Sequence, residues 1–332
     1  MSVAGSLYGL AFGDALGKPT EFRDLAEITA RYGPSGPTDL PRPALVTDDT
    51  QMAIAVADGL LAALRSGSPL TAANLEPPIR DRFLDWWRSP DNNRAPGMTC
   101  LNACESMAGG VGWRDASVIG SKGCGANMRV TPIAFPSDLT DDERAGASQL
   151  QAAMTHGHPT ALAASELTMW AVRWALDGVP LPELPARLRE HCHSQRENYR
   201  ADWLGTLSQR AQQEPTVFIA RGWDECLAVL DRLDSALVSP DPSGDPCRVT
   251  GEGWVAEEAL ATALLCVLLF PDDPIRALAR AAASSGDSDS IAALAGAITG
   301  AAHGMPGWPA DWVHRIEYAD ELARVVSDPF NT

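Results

Sequence analysis

Glycine recurs every four residues in two helix-forming segments of this chain, and this spacing restricts how those segments pack. The two stripes are Gly5, Gly9, Gly13 and Gly17 near the N-terminus, and Gly296, Gly300 and Gly304 near the C-terminus. Residues four apart share one face of an α-helix, and glycine there costs helix stability. We therefore expect each stripe to mark a close backbone approach to a neighbouring element. Tight helix packing alone accounts for this, although the first stripe also leads into Asp14 and Glu21.

Most of the remaining hydrophobic pattern has the period of an α-helix. The strongest helical segments are 2–16, 50–65, 160–176, 183–191, 223–237, 257–269 and 290–302. Few runs of alternating β-branched residues compete with them, so we predict a mainly or wholly α-helical fold. Proline and glycine are frequent at 33–43 and 239–253, which we predict to be long surface loops.

Two acidic clusters lie at opposite ends of the chain, and each immediately precedes a helical segment. They are Thr47-Asp48-Asp49-Thr50 and Asp287-Ser288-Asp289-Ser290. Asp, Ser and Thr are common helix N-caps, and acidic side chains suit a first turn, so capping explains either cluster taken alone. Capping needs only one side-chain acceptor per helix, however. Adjacent carboxylates such as Asp48 and Asp49 repel each other unless a cation or hydrogen-bond donors lie between them.

Carboxylate and hydroxyl oxygens are the ligands that Mg²⁺ and Mn²⁺ prefer. We therefore predict that the fold brings the two clusters together as one binuclear metal site. The first and last quarters of the chain then share one core, so residues 1–332 are expected to form a single domain. An EF-hand does not fit, because Ile291 stands where a third ligand is needed. A phosphotransferase of the Asp-x-Asp type does not fit either, because the alanine-rich helical segment 277–283 precedes the motif instead of an apolar strand.

Charge and cysteine content restrict the partners and the compartment. The chain has 26 Lys and Arg against 43 Asp and Glu, a net charge of -17, which disfavours non-specific nucleic-acid binding. No apolar run is long enough to span a bilayer, so no membrane association is expected. The seven cysteines are scattered, and no basic residue precedes the first apolar stretch. These features predict reduced thiols and a cytoplasmic location, and we expect a monomer.

A glycine-rich segment lies between the two clusters. It reads Gly120-Ser121-Lys122-Gly123-Cys124-Gly125-Ala126-Asn127-Met128-Arg129. It is not a Walker loop, because Lys122 does not follow the last glycine and no Ser or Thr follows the lysine. No apolar strand of useful length precedes it, so it is not a dinucleotide fingerprint either. Two interpretations remain: a flexible surface loop, or a set of backbone N–H groups that cradles a pyrophosphate.

Four motifs occur in order along the chain: 9–21 (GLAFGDALGKPTE), 47–50 (TDDT), 123–129 (GCGANMR) and 286–290 (GDSDS). Together they resemble the motifs of the ADP-ribosylglycohydrolase family, which includes the dinitrogenase-reductase-activating glycohydrolases. Thr155-His156 and Gly253-Trp254 are similar to two further steps of the family pattern. The resemblance runs from about the tenth residue to the region of Gly304. Four motifs in the same order and with matching spacing make this resemblance to the family specific.

The resemblance implies an all-α, orthogonal multi-helix fold that holds two Mg²⁺ or Mn²⁺ ions. The metal ligands carried over by position are Thr47, Asp48, Asp49, Asp287, Asp289 and Ser290. Glu21 is implied as a further ligand or as the base, and Glu21 and Asp289 are the implied catalytic residues. The implied substrate-binding residues are Gly97, Gly123, Cys124, Gly125, Ala126, His156 and Trp254. Of these, 123–126 would cover the phosphates.

The resemblance also implies a reaction, the hydrolysis of the glycosidic bond between ADP-ribose and an acceptor. The substrate would be an ADP-ribosylated protein or a small ADP-ribosyl compound, with arginine as the default acceptor. Segment 94–102 lacks an acidic residue that some arginine-specific members carry nearby, and Asp91 is the nearest candidate to replace it. The alternative is a catalytically weak ADP-ribose-binding or toxin-immunity protein on the same fold. The complete set of aspartates, with Thr47 and Glu21, favours catalysis.

Other groups of metal-binding residue types are weaker candidates. His191-Cys192-His193 resembles a soft-metal site, but side chains two apart on a helix do not face each other, so we predict a solvated or half-buried surface feature. Cys100 and Cys104 share a helix face without further ligands, which is weak evidence for zinc. His158 is predicted to be structural.

Overall fold

The computed structural model describes residues 2–65 and 67–327, and these residues are mostly helical. In chain order the α-helices are α1 (Val3–Gly17), α2 (Leu25–Tyr32), α3 (Asp48–Leu64), α4 (Ala72–Arg88), α5 (Met98–Ala108), α6 (Trp113–Ala116), α7 (Asp141–Ala153), α8 (Pro159–Leu176), α9 (Leu184–Gln195), α10 (Ala201–Leu204), α11 (Leu207–Arg210), α12 (Pro215–Val238), α13 (Cys247–Thr250), α14 (Ala256–Leu269), α15 (Pro274–Ala282), α16 (Ser288–His303), α17 (Trp312–Arg315) and α18 (Ala319–Ser327). Within the described ranges the chain forms no β-strand, only isolated bridges such as Gly123 with Val255. The predicted all-α class is confirmed.

Each predicted helical segment lies in an observed helix, and most ends agree within a few residues. The largest difference is at α12, which begins at Pro215 rather than at residue 223. The loop prediction for 33–43 agrees with the structure, since no helix falls there. The loop prediction for 239–253 is partly wrong because α13 lies within it. The hydroxyl of Thr250 lies 2.7 Å from that of Thr262, which ties this short turn to α14.

The two glycine stripes pack against each other, with α1 and α16 antiparallel. A Cβ added to Gly9 would lie 2.2 Å from the carbonyl oxygen of Gly296, and one added to Gly296 would lie 1.9 Å from that of Gly9. Contacts of this kind recur along both helices, from Gly5 against Gly300 to Gly17 against Asp289. No side chain fits at these points, which explains the spacing seen in the sequence.

The antiparallel pair of α1 and α16 lies in the interior and sets the geometry of one end of the molecule. Nearly every residue of both helices is buried. Because the helices run in opposite directions, the end of α1 at Gly17 adjoins the beginning of α16 at Ser288. Residues far apart in sequence, such as Glu21 and Asp289, are thereby brought to the same place.

Two further features concern the cysteines and the apolar helices. All the cysteines are buried and free, so none forms a disulfide bond. Over residues 2–65 and 67–327, no helix has the length and apolar character required to cross a membrane.

Candidate active site

Glu21 lies on a turn that is fixed to both α1 and α16. The backbone N–H groups of Thr20 and Glu21 donate to the carbonyl of Gly17, at 2.9 and 3.0 Å. The hydroxyl of Thr20 donates to the same carbonyl at 2.7 Å and lies 3.1 Å from the hydroxyl of Ser288. The turn therefore holds Glu21 beside the first residues of α16.

Asp14 organises the beginning of α3, a role that the sequence analysis did not assign to it. This carboxylate is completely buried in α1. It accepts hydrogen bonds from the N–H of Thr47 at 2.9 and 3.0 Å and from the N–H of Thr50 at 3.1 Å. The hydroxyl of Thr50 donates to it at 2.5 Å. Asp14 thus satisfies donors at this helix end, so the carboxylates of Asp48 and Asp49 are not needed there.

The beginning of α16 lies beneath a crossing segment of backbone. The N–H of Asp287 donates to the carbonyl of Glu252 at 2.8 Å. A Cβ on Gly286 would lie 1.8 Å from that carbonyl oxygen, so only glycine fits at this position. The side chain of Asp287 makes no capping hydrogen bond to α16.

The two acidic clusters meet in one cavity of about 300 Å³. The predicted site residues that line it are Glu21, Asp48, Asp49, Gly97, Gly123, Cys124, Gly125, His156, Trp254, Asp287, Asp289 and Ser290. Thr47 and Ala126 do not line it and are buried behind it. The sequence analysis did not single out five lining residues, which are Phe22, Ala95, Met98, Thr99 and Met128.

A larger and more open groove of about 710 Å³ lies between the end of α9 and α12. Four of its ionisable side chains form two ion pairs. Nε and Nη2 of Arg196 donate to the two carboxylate oxygens of Asp224, each at 2.7 Å. Nε of Arg221 donates to the carboxylate of Glu225 at 3.0 Å. The acidic cavity is the better candidate for chemistry because its carboxylates lie close together and none forms a salt bridge with a described Lys, Arg or His.

The carboxylates of the acidic cavity are close together and shielded from water. One oxygen each from Glu21, Asp287 and Asp289 lie within 4.8 Å of one another. Burial, reinforced by the charge of Asp289, raises the pKa of Asp48 to about 7 and the pKa of Glu21 to about 8. The same causes raise the pKa values of Asp49 and Asp287 well above the ordinary range. The cluster is therefore strained electrostatically unless protons or a cation offset its charge.

Two carboxylate oxygens of the cluster are buried without a partner. Oδ1 of Asp49 and Oδ1 of Asp289 have no hydrogen-bond donor among the described residues. Buried polar atoms in proteins are almost always satisfied, so an orphaned carboxylate oxygen needs an explanation. A divalent cation is a natural partner for such oxygens, and the surrounding carboxylates and hydroxyls are hard donors. The residues present thus fit a Mg²⁺ or Mn²⁺ site.

The glycine-rich segment forms a fixed wall of the cavity, so its interpretation as a flexible surface loop is wrong. The N–H of Cys124 donates to the carbonyl of Trp254 at 3.1 Å, and the N–H of Ala256 donates to the carbonyl of Lys122 at 2.9 Å. The ammonium group of Lys122 also binds Glu225 at 2.9 Å and Glu257. Because the N–H of Cys124 already donates to the protein, it is not free to donate to a bound pyrophosphate.

An aromatic pair lies at the mouth of the cavity. The rings of Phe22 and Trp254 stack at 5.3 Å between centroids with an angle of 16° between their planes. The exposed fractions are 69% for Phe22 and 39% for Trp254, both high for aromatic side chains. His156, by contrast, lies deep in the wall with only 2% of its surface exposed.

Some candidate residues lie away from the cavity. Asp91 does not line it, and its carboxylate accepts a hydrogen bond from the hydroxyl of Tyr318 at 3.1 Å. The surface prediction for 191–193 is wrong for Cys192, which is fully buried, whereas His193 is exposed. His191 is half-buried and lies 2.7 Å from the carboxylate of Glu166.

His158 and the pair Cys100 and Cys104 also lie among structural contacts. His158 is structural, since its Nδ1 accepts from the N–H of Thr160 at 3.2 Å and caps α8. Cys100 and Cys104 are both buried on one face of α5. They belong to no group of potential metal ligands among the described residues.

Comparison with known proteins shows the family of the chain. The family model for ADP-ribosylglycohydrolase matches residues 2–331. The chain belongs to the ADP-ribosylglycohydrolase family. It is 27% identical over 352 residues to "ADP-ribosylhydrolase ARH3" of Bos taurus, which covers 96% of this chain and 89% of that protein. It is 25% identical over 335 residues to "ADP-ribosylarginine hydrolase Tri1" of Pseudomonas putida, which covers 98% of this chain and 77% of that protein.

The fold is also that of a solved structure. An "ADP-ribosylglycohydrolase-related protein complex" superposes with a TM-score of 0.64 and 26% identity, over 98% of this chain and 96% of that one. The resemblance drawn from the four sequence motifs is thereby confirmed. As a member of the ADP-ribosylglycohydrolase family, the chain is an enzyme of the glycosidic-bond hydrolase class.

Proposed function

We propose that this enzyme uses divalent metal ions to hydrolyse the glycosidic bond between ADP-ribose and an acceptor side chain, with arginine as the default acceptor. The observation that carries the proposal is the pair of buried, unpartnered oxygens on Asp49 and Asp289. They lie in a cavity whose other carboxylates repel them. In a cavity that bound only a neutral or anionic ligand, these buried carboxylates would cost free energy without a compensating interaction.

Two Mg²⁺ or Mn²⁺ ions are the proposed cofactors. The proposed ligands are Thr47, Asp48, Asp49, Asp287, Asp289 and Ser290. Bound cations would neutralise the carboxylates and supply Lewis acidity at the ribose. Thr47 does not line the cavity, and its hydroxyl lies 3.3 Å from the carboxylate of Asp49.

Glu21 is the proposed general base. It belongs to the same group of close carboxylate oxygens as Asp287 and Asp289, yet it comes from a turn rather than from either helix beginning. In the reaction, the oxygen of water forms a bond to the anomeric carbon, and the bond from that carbon to the acceptor breaks. Glu21 takes one proton of the water and later releases it to solvent, and the departing acceptor takes a proton from solvent, so the net change is the addition of water across the bond. Asp289, which faces Glu21, would orient the water.

The remaining walls of the cavity are proposed to bind ADP-ribose. The fixed segment 123–125 and His156 form the deep wall, and Trp254 forms part of the mouth. Gly97 contributes backbone to the opposite side, where its N–H donates to the carboxylate of Asp48 at 3.3 Å. Gly97 therefore links the substrate side of the cavity to the metal side.

The choice of arginine as acceptor rests on a relative and not on a residue of the cavity. Arginine is supported by the name of Tri1, a relative with similar length coverage. It is not supported by Asp91, which lies outside the cavity. An acceptor guanidinium would then depend on the carboxylates of the metal site rather than on a dedicated carboxylate at the mouth.

The test is turnover of peptides that carry ADP-ribose on arginine or on serine, with Mg²⁺, Mn²⁺ or a chelator present. We expect release of ADP-ribose only with a divalent cation, and faster release from arginine. Asp289→Asn is expected to abolish release, whereas Asp272→Asn, an exposed aspartate, serves as the matched control. Release that is unaffected by the chelator would contradict metal dependence. Tight ADP-ribose binding without any release would identify a binding protein instead.

A further inference from the structure

Arg129 is a buried cation that forms no salt bridge with any carboxylate in the described part of the chain. It is completely buried, and its guanidinium lies 4.3 Å from the centre of the Phe83 ring. Its described hydrogen bonds all go to neutral groups: the side chain and carbonyl of Gln151 at 2.8 and 2.7 Å, the hydroxyl of Thr155 at 2.8 Å, and two sulfur atoms at 3.5 Å. Burying a charge without a carboxylate partner is costly in free energy, which indicates that Arg129 orders the groups around it.

The contact with Thr155 continues to His156. Arginine has only donors, so the hydroxyl oxygen of Thr155 must accept from Arg129. That oxygen also lies 2.7 Å from Nδ1 of His156. The single hydroxyl proton has two other acceptors within reach, and both are poor. The carbonyl of Ala152 is 3.5 Å away, which is long for an O–H···O bond, and the sulfur of Cys100 is a weak acceptor.

This geometry favours donation from the Thr155 hydroxyl to Nδ1 of His156. If Nδ1 carried a proton instead, the hydroxyl proton would be left with the poor acceptors. Burial, reinforced by the charge of Arg129, lowers the pKa of His156 well below its usual range, so the ring is neutral. A neutral ring that accepts at Nδ1 carries its one proton on Nε2.

The other edge of the ring is available to a ligand. His156 lines the acidic cavity, and its Nε2 has no hydrogen-bond partner among the described residues. Nε2 lies against the glycine-rich wall, where a Cβ added to Gly123 would be 3.2 Å from it. Glycine at this position leaves the approach to Nε2 open.

We propose that Arg129 and Thr155 are positioning residues that fix His156 as the neutral tautomer with its proton on Nε2, aimed into the cavity as a donor to an acceptor oxygen of the bound ligand. The ligand half of this inference rests on the proposed function, since it takes the ligand to be an ADP-ribosyl compound. The tautomer half is a property of the protein alone. The two halves can therefore fail separately.

The tautomer is tested by long-range ¹H–¹⁵N NMR of histidine-labelled protein without ligand. The spectrum distinguishes a protonated ring nitrogen from an unprotonated one, and His156→Gln identifies the His156 signals by their loss. His158 is an internal reference, because its Nδ1 accepts a backbone N–H and must be unprotonated. We expect His156 to show the pattern of His158. A protonated Nδ1 on His156 would overturn the proposal.

Thr155→Val removes the hydroxyl with little change of shape, whereas replacing Arg129 itself risks unfolding. We expect Thr155→Val to give His156 a mixture of tautomers, and Thr155→Ser to restore the single form. Thr168→Val is the matched control, since Thr168 is equally buried on α8 and its hydroxyl has no partner in the described structure. An unchanged His156 spectrum in Thr155→Val would overturn the role of Thr155.

Calorimetric titration with ADP-ribose tests the ligand half. We expect Thr155→Val to weaken binding by the factor by which the Nε2-protonated fraction falls in the NMR spectrum, about twofold for an equal mixture, with unchanged affinity for Mn²⁺. Thr155→Ser should recover the affinity, and Thr168→Val should keep it. Equal affinity in Thr155→Val and the wild type would overturn the donor role. Absence of ADP-ribose binding by the wild type would overturn the proposed function and the donor role, while the NMR result would still decide the tautomer.

Discussion

At the scale of single residues, the acidic side chains of this site divide into two kinds. Asp14 is saturated with hydrogen bonds from Thr47 and Thr50, and it holds the beginning of α3. Asp49 and Asp289 keep oxygens that no described residue satisfies. Because Asp14 and the hydroxyl of Thr47 accept from the first N–H groups of α3, the carboxylate of Asp49 is left for a ligand. This division is the main physical reason to assign the carboxylates of the second kind to chemistry.

The same scale shows what the sequence could not reveal. Paired acids before two helices were visible as a pattern, so Asp48, Asp49, Asp287 and Asp289 could be predicted to meet. Asp14 is a single acidic residue inside an apolar helical segment, so its role at the beginning of α3 could not be predicted from the sequence. Phe22 could not be foreseen either, because its exposure and its stacking on Trp254 depend on the fold.

The first prediction concerns Glu21. Glu21→Gln preserves size and hydrogen-bonding capacity but cannot accept the proton of the attacking water. We expect normal folding and ADP-ribose binding, with turnover reduced by roughly a hundredfold or more. Steady-state kinetics and calorimetry measure the two effects. Glu105→Gln, an exposed change on α5, should leave both unchanged. Near-normal turnover in Glu21→Gln would show that the base lies elsewhere.

At the scale of elements, the glycine contacts between α1 and α16 decide where the acidic residues meet. Helix propensity alone would make Gly9→Ala stabilising by about 1 kcal/mol. The added Cβ would nevertheless lie 2.2 Å from the carbonyl oxygen of Gly296, within a rigid backbone contact. We expect a net loss of about 3 kcal/mol or more in the free energy of unfolding, measured with urea.

Gly120→Ala is the control for this prediction. A Cβ at Gly120 meets no atom within 4 Å, so its stability should change by no more than about 0.5 kcal/mol. If Gly9→Ala were as well tolerated as this control, the close packing of the two stripes would be wrong.

A further prediction at this scale concerns the ion pairs that hold the glycine-rich wall. Burial acts to raise the pKa of Glu225, but hydrogen bonds from Lys122, Thr160 and Arg221 outweigh it and bring the pKa to about 2. The unfolded chain has a higher pKa, roughly 4.3 for glutamate. The unfolded state therefore binds more protons between these values, so the contribution of Glu225 is present above about pH 4.3 and is lost as the pH falls towards 2.

Glu225→Gln tests this linkage. At neutral pH the variant should be less stable than the wild type by about 1 kcal/mol, a modest figure because the pair is partly exposed and screened. The difference should shrink as the pH falls below about 4.3. Urea unfolding across pH 3 to 7 measures it. A difference that stays constant over this range would refute the assigned cause.

The helices differ in how clearly the sequence predicts them. α7 begins with a capping box in which the side chains of Thr140 and Glu143 accept from each other's backbone N–H groups. The Thr-x-x-Glu spacing of this box is visible in the sequence. α4 contains Pro77 and Pro78, which normally argue against a helix interior and hid this element. Packing against α3 and α5 overrides that local preference.

At the scale of the whole molecule, the fold serves to join the two ends of the chain. The antiparallel contact of α1 and α16 places the turn after Gly17 against Asp289. α3 is fastened to α1 through Asp14, so its acidic beginning reaches the same cavity. The sequence predicted that the clusters would meet, but the means, one glycine stripe packed on the other, required the structure.

The most direct test of this account is product analysis by mass spectrometry after incubation with an ADP-ribosylated peptide and Mg²⁺ or Mn²⁺. The account predicts free ADP-ribose with its pyrophosphate intact, together with the unmodified peptide, because the acid-lined cavity is proposed to act at the anomeric carbon. Loss of both products on adding a chelator should accompany this result. Release of AMP, with a phosphoribosyl group left on the peptide, would contradict the account.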